Sequence, residues 1–187
     1  MNNSPSHDEL SPSRKIYNWA NSFDQANRAV AELDYSLMTG RKCELKWEKP
    51  AIFPGIVLAA FASELYLKAA ITFEGNKPPR THRLRELFDA LSENAQAVIQ
   101  LCYLDLVTRS APVIRVEQIE ASPRLGFMQK ELADFYSHLD RISDNFAKWR
   151  YGYESMPSSD GWSSTEKFMD ACRVGYLNIE AGLDLGV

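Results

Sequence analysis

Apolar positions recur along this chain at steps of three and four. Ile16, Trp19, Phe23, Ala26, Val30, Leu33 and Leu37 share one face of a helix over 13–38, which Gly40 stops. A polar loop over 41–49 carries one aromatic, Trp47. The next predicted helix, 50–73, is apolar on almost every side, through Ile52, Phe53, Ile56, Val57, Leu58, Phe61, Leu65, Tyr66, Leu67, Ile71 and Phe73. A helix without a polar face belongs at the centre of a bundle. Pro54 falls in its first turn or bends it; Gly75-Asn76 closes it and Pro78-Pro79 prevents continuation.

Thr81 is placed to cap a short helix over 82–91 with Leu84, Leu87, Phe88 and Leu91 inward. Ser92 is placed to cap a fourth, through 108, with Val98, Ile99, Cys102 and Leu106 inward. Residues 109–126 hold two prolines and the β-branched run Val113 to Val116, which reads as a long loop or an added short element. Loops of that length are often lids or partner contacts. A fifth helix carries the cleanest pattern: Met128, Leu132, Phe135, Leu139, Ile142, Phe146 and Trp149 step by four and three without a miss. Such a heptad seam serves either core packing within the chain or an interface between subunits. Residues 151–162 turn from aromatic to Ser- and Pro-rich, and Ser163 or Ser164 caps a last helix to about 183. With no convincing strand, the pattern is an all-α helical bundle of five to six helices. It forms one domain over 13–187 behind a polar tail, 1–12, expected to be disordered.

The bulk numbers narrow the chemistry. A chain of 187 residues, 45% hydrophobic and 25% charged, buries a core without metal or disulfide staples. A net charge of -4 excludes a surface that coats nucleic acid, while leaving room for a small basic cleft. Cys43, Cys102 and Cys172 are odd in number and far apart, so they read as free thiols of a reducing cytoplasm rather than zinc ligands. The start, MNNSPSHDELSP, lacks the features of a signal peptide. The most apolar run, Ala51 to Ala62, is broken by Pro54-Gly55 and is too short to span a bilayer. A cytoplasmic protein without membrane, metal or cofactor is expected.

The middle of the chain reads Phe61-Ala-Ser-Glu64-Leu-Tyr-Leu-Lys68, a Gly-Asn-Lys-Pro-Pro turn, then Thr81-His82-Arg83-Leu84-Arg85-Glu86-Leu87-Phe88. Further on stands Asn145-Phe146-Ala147-Lys148-Trp149-Arg150-Tyr151-Gly152-Tyr153-Glu154. The first block resembles the HEPN pattern of a buried Glu-Leu-x-Leu-Lys helix, a short turn and His-x-Leu-x-x-Leu-Phe. The second resembles the Arg-Tyr segment near the end of some HEPN proteins. The resemblance implies an up-and-down helical bundle, commonly dimeric. It also implies either an RNA-cutting toxin of bacterial defence and toxin–antitoxin systems or a non-catalytic nucleotide- or partner-binding module. Cutting members carry Arg, four to six residues, then His. Here the histidines are His7, His82 and His138, and no Arg stands at that distance before any of them.

Glu64 and Lys68, at i and i+4 on the most apolar helix, stand side by side. They serve either as a structural ion pair or as the polar floor of a cleft. His82 stands in the one dense basic cluster, with Arg80, Arg83 and Arg85, either a phosphate site or a solvated turn. Arg150, Tyr151 and Glu154 follow the seam, either to stack a base and hold a phosphate or to anchor the chain. His138 is expected to face solvent. The ligand-binding candidates are therefore Glu64, Lys68, His82, Arg83, Arg150, Tyr151 and Glu154. Three functions compete: a binding module for nucleotide, RNA or partner protein, a divergent metal-independent ribonuclease, and a structural partner of a neighbouring gene's product. A homodimer is expected from the seam and the resemblance together.

Overall fold

The computed structural model describes residues 10–38, 52–110, 135–143 and 162–186. Its elements are α1 (Pro12–Met38), α2 (Ile52–Phe73), α3 (Leu84–Asp89), α4 (Glu93–Ser110), a helix α5 over 135–143, and α6 (Trp162–Glu180). Among the described residues there is no strand. The loop expected over 109–126 begins later than its pattern indicated, because α4 runs on through Ser110; the rest of it lies outside the described residues.

Local chemistry sets most boundaries. Ser11 precedes Pro12, and its Oγ accepts from the Arg14 amide at 3.2 Å. Ser11 is thus the cap and Pro12 the first helical residue, where its missing N–H costs nothing. α2 ends at Gly75, whose φ of 82° lets the Asn76 amide reach back to the Ile71 carbonyl and the Gly75 amide to Thr72. Gly182 ends α6 in the same way. Ser92 caps α4 through the Ala95 amide, 3.2 Å. Two expected caps are corrected. Thr81 accepts from the Arg83 amide, so the chain turns once more and α3 starts at Leu84 instead of residue 82. α6 opens at Trp162, which puts Ser163 and Ser164 inside its first turn.

α2 is the central helix, packed against α1, α3 and α6. Ile56, Ala59, Ala62, Tyr66, Leu67 and Ala69 have no exposed surface. Over Pro54–Phe73 it is long and apolar enough to cross a bilayer, but most of that stretch is buried inside the bundle. Past Ala62, where the most apolar run ends, Ser63 Oγ donates to the Ala59 carbonyl, 2.8 Å, and Glu64 finds partners of its own. α1 runs antiparallel to α6, as the pairs Arg14–Glu180, Tyr17–Tyr176 and Asn27–Glu166 require. α4 and α6 are also antiparallel, joined at Asn94–Leu183 and Cys102–Asn178. Within α5, Phe135, Leu139 and Ile142 are buried, with Phe135 against Phe88, Tyr103 and Phe168. These three seam positions serve the core of the chain; Met128, Leu132, Phe146 and Trp149 lie outside the described residues.

The buried face of α1 differs from the apolar stripe. Tyr17, Ala20, Asp24 and Asn27 are buried, while Trp19 is 68% exposed and Ala26 is exposed. Small Ala20 permits close approach of the helices, and Tyr17 stacks on Tyr176 at 4.6 Å between ring centroids. α1 is thus rotated by about one residue, roughly 100°, from the orientation its apolar spacing favours.

α4 and α6 approach closely at Gly175. A Cβ placed there would lie 2.6 Å from Ile99 Cγ1 and 3.4 Å from Ile99 Cα. Gly175→Ala is expected to lower the unfolding free energy by about 1–3 kcal/mol, because overpacking outweighs the better helix propensity of alanine. Urea titration reads this directly; a midpoint that rises would mean that the two helices separate at no cost.

Candidate functional site

The α2–α3 connection is short, so His82 folds back onto α2. The Glu64 carboxylate is 2% exposed and takes two partners. Its Oε1 accepts from Lys68 Nζ at 2.6 Å, and its Oε2 lies 3.0 Å from His82 Nδ1. Lys68 is 20% exposed and His82 61%. One buried carboxylate therefore holds two nitrogen groups, the ammonium less exposed than the imidazole. The carboxylate restricts both side chains before any ligand arrives, which lowers the ordering cost of binding an anion.

The other candidates divide. Arg83 is exposed and pairs with Glu86 of its own helix, Nη1 to Oε1 2.9 Å. Arg85 is structural: it binds Asp89 through Nε, Asp140 of α5 through Nη1 at 3.1 Å, and stacks over Tyr136. The Asp89 hydrogen bond, with the Asp89 and Asp140 charges, raises its pKa above the ordinary guanidinium value. The Arg85 amide also donates to the buried Ser143 hydroxyl, 3.0 Å, which ties α5 to the start of α3. The basic cluster is thus partly neutralised by carboxylates. Of the four residues expected to converge, Glu64, Lys68 and His82 do so. Arg150, with Tyr151 and Glu154, lies outside the described residues.

His138 corrects the sequence reading. It is 8% exposed, its ring 5.8 Å from that of Tyr103, with Arg141 Nη2 3.0 Å from Nδ1. A guanidinium only donates, so Nδ1 accepts and the contact suits a neutral ring. Its place is in packing between α4 and α5.

Sequence reasoning missed a second polar group, in the α1–α2–α6 interface. Asp24 is 5% exposed and receives Arg28 Nε at 2.8 Å and the Tyr66 hydroxyl at 3.3 Å, with Arg173 Nε at 3.6 Å. Arg28 and Arg173 also reach Asp170, at 2.7 and 3.5 Å. The single Tyr66 hydroxyl proton is shared with Asn21 Oδ1, the nearer acceptor at 2.7 Å. The signal was present as Tyr17, Ala20, Asp24 and Asn27 at helical spacing, one residue out of step with the apolar stripe that the sequence reading followed.

Burial, and then the Asp24 charge, push the Tyr66 hydroxyl far above its ordinary value of 10.0, and burial pushes the Cys172 thiol well above 9.0. Both groups stay protonated in the fold while the unfolded chain ionises. Their contribution is complete below the unfolded-state values and is lost as pH rises past them. The urea midpoint is expected to fall between about pH 9 and 11; one that holds constant across that window would mean that Tyr66 and Cys172 ionise freely in the folded state.

Set against known proteins, the HEPN domain family model matches residues 56–160, more than half of the chain's 187 residues. The matched stretch includes Glu64, Lys68 and His82. No curated protein and no solved structure matches the chain.

Proposed function

The chain belongs to the HEPN family, and from that premise we propose that it is a non-catalytic binding module taking a phosphate of a nucleotide or of single-stranded RNA at the Lys68–His82 pair. The observation that carries this is the double engagement of buried Glu64, which holds an ammonium and an imidazole together at the surface of an otherwise acidic protein. Two donors set beside each other suit the oxygens of one phosphate. The family's tie to nucleotides and RNA gives the class of ligand. The missing Arg–His spacing favours binding without cutting. The working unit we propose is a homodimer, acting in a bacterial defence or toxin–antitoxin setting in the cytoplasm.

Fluorescence anisotropy with labelled short RNA and with a labelled nucleotide tests this reading. Saturable binding is expected, with a log–log salt slope of about -0.7 for each phosphate engaged. His82→Ala and Lys68→Met are each expected to weaken it about tenfold while circular dichroism stays unchanged. Light scattering on the same samples should give twice the 21.2 kDa chain mass. Absence of saturable binding, or affinity unchanged in both variants, would overturn the site. RNA cleaved by the wild-type chain and spared by His82→Ala would replace it with a divergent ribonuclease.

A further inference from the structure

The rotation of α1 leaves its apolar stripe near the surface. Trp19 is 68% exposed, and Ile16, Phe23 and Val30 are only half-buried along the same stripe. The stripe borders α2, since Phe23 meets Phe61 edge-on at 4.6 Å between ring centroids. Phe61 stands on an arc of α2 that the bundle leaves partly open, with Val57, Leu65 and Lys68 half-buried at helical spacing beside it.

α1 and α2 run antiparallel, because the pairs Tyr17–Tyr66 and Phe23–Phe61 follow in opposite order along the two helices. One turn back from Phe23 and one turn on from Phe61 therefore set Trp19 opposite Leu65, with Lys68 less than a further turn along. Helix axes pack about 8–10 Å apart and rise about 1.5 Å per residue, so the Cα atoms of Trp19 and Lys68 stand about 10 Å apart on one outer face. Phe23, Phe61 and Leu65 make the floor between them. A lone exposed apolar side chain means little. Continuity with the Glu64-bound Lys68 gives this one an occupant.

We propose that Trp19 is the base-stacking platform of that site: a nucleobase lies on the indole while its phosphate is held by Lys68 and His82. The inference rests on the phosphate reading given above. One nucleotide spans the gap, with the phosphate about 2.8 Å from the ammonium, the base in contact with the indole at about 3.5 Å and the sugar between them. An indole suits the role because every base has a π-face to lay on it.

Isothermal titration of the full chain with adenosine 5′-monophosphate and with ribose 5-phosphate tests this, since the two differ by the base. In wild type the mononucleotide is expected to bind about tenfold more tightly and to quench tryptophan fluorescence. Trp19→Ala should abolish that advantage, leave ribose 5-phosphate binding as it was and keep the circular dichroism, because the side chain is mostly exposed. Trp19→Phe should keep part of the advantage and lose the quenching, which assigns the signal to one of the chain's four tryptophans. Equal affinity for both ligands in wild type, or an advantage that survives Trp19→Ala, would overturn the platform; Lys68→Met still weakening both ligands would then uphold the phosphate site. Lys68→Met binding both ligands as wild type does would remove the phosphate site and this inference with it. Loss of both ligands in Trp19→Ala, with a fall in mass by light scattering, would also overturn the platform and make the face a contact between two copies of the chain.

Discussion

Asp24→Ala is expected to lower the unfolding free energy by about 2–4 kcal/mol, a loss of roughly 5–12 °C in Tm. Asp24 sits at a point where α1 meets both α2 and α6. Its carboxylate compensates two guanidinium groups and receives the Tyr66 hydroxyl. Removing it leaves Arg28 and Arg173 sharing Asp170, and leaves Tyr66 bonded to Asn21 alone. A fully buried pair would cost more to break. The figure is held down because the Arg28 and Arg173 side chains are 51% and 32% exposed and regain water. Asp24→Asn keeps the shape and an acceptor for Tyr66, so about half of the loss is expected. Urea denaturation of Asp24→Ala, Tyr66→Phe and the double variant gives the coupling between the two groups. A double-variant loss equal to the sum of the two single losses would show that Asp24 acts through the arginines rather than through Tyr66. A single-variant loss below about 0.5 kcal/mol would place the network among surface ion pairs.

Glu64→Ala is expected to cost a similar amount, about 2–4 kcal/mol, and also to weaken phosphate binding. The carboxylate is almost wholly removed from water and has two partners, one of them from the α2–α3 connection. Without it, Lys68 stands on an apolar helix with no counter-charge, and His82 loses the contact that draws it back to α2. Glu64→Gln retains an oxygen to accept from Lys68 and should lose less. Structure and function separate in Glu64→Leu/Lys68→Met. Apolar replacement of both members of a buried pair is often neutral or stabilising, so the unfolding midpoint should return near wild type while binding stays lost. An unfolding midpoint unmoved by Glu64→Ala would show that the pair contributes nothing to the fold. Normal phosphate binding in Glu64→Leu/Lys68→Met would move the ligand elsewhere.

Much of this molecule is legible in its sequence because much of it is governed by local rules. Helical spacing places five of the helices near their observed bounds, and Gly75 and Ser92 end and begin helices as residues of their type should. The apolar circumference of α2 is enough to make it central, since no face of it can be left in water. The Glu64–Lys68 pair follows from i, i+4 spacing alone. The packing of the bundle decided the rest. Which stripe of α1 is buried depends on what α2 and α6 offer it. They offer Tyr66, Arg173 and Glu166, so Asp24 and Asn27 go inward and Trp19 stays out. Those partners lie 42 to 149 residues away along the chain, beyond any window of periodicity. His138 looked exposed by position, yet Tyr103 and Arg141 bury it. His82 looked like a member of a basic turn; the fold-back of that turn makes it the third member of the Glu64 cluster, 18 residues from its partner. Hydrophobic periodicity reports only how many faces a helix can bury. Which polar groups can go with them is fixed by the donors and acceptors that other helices bring to meet them.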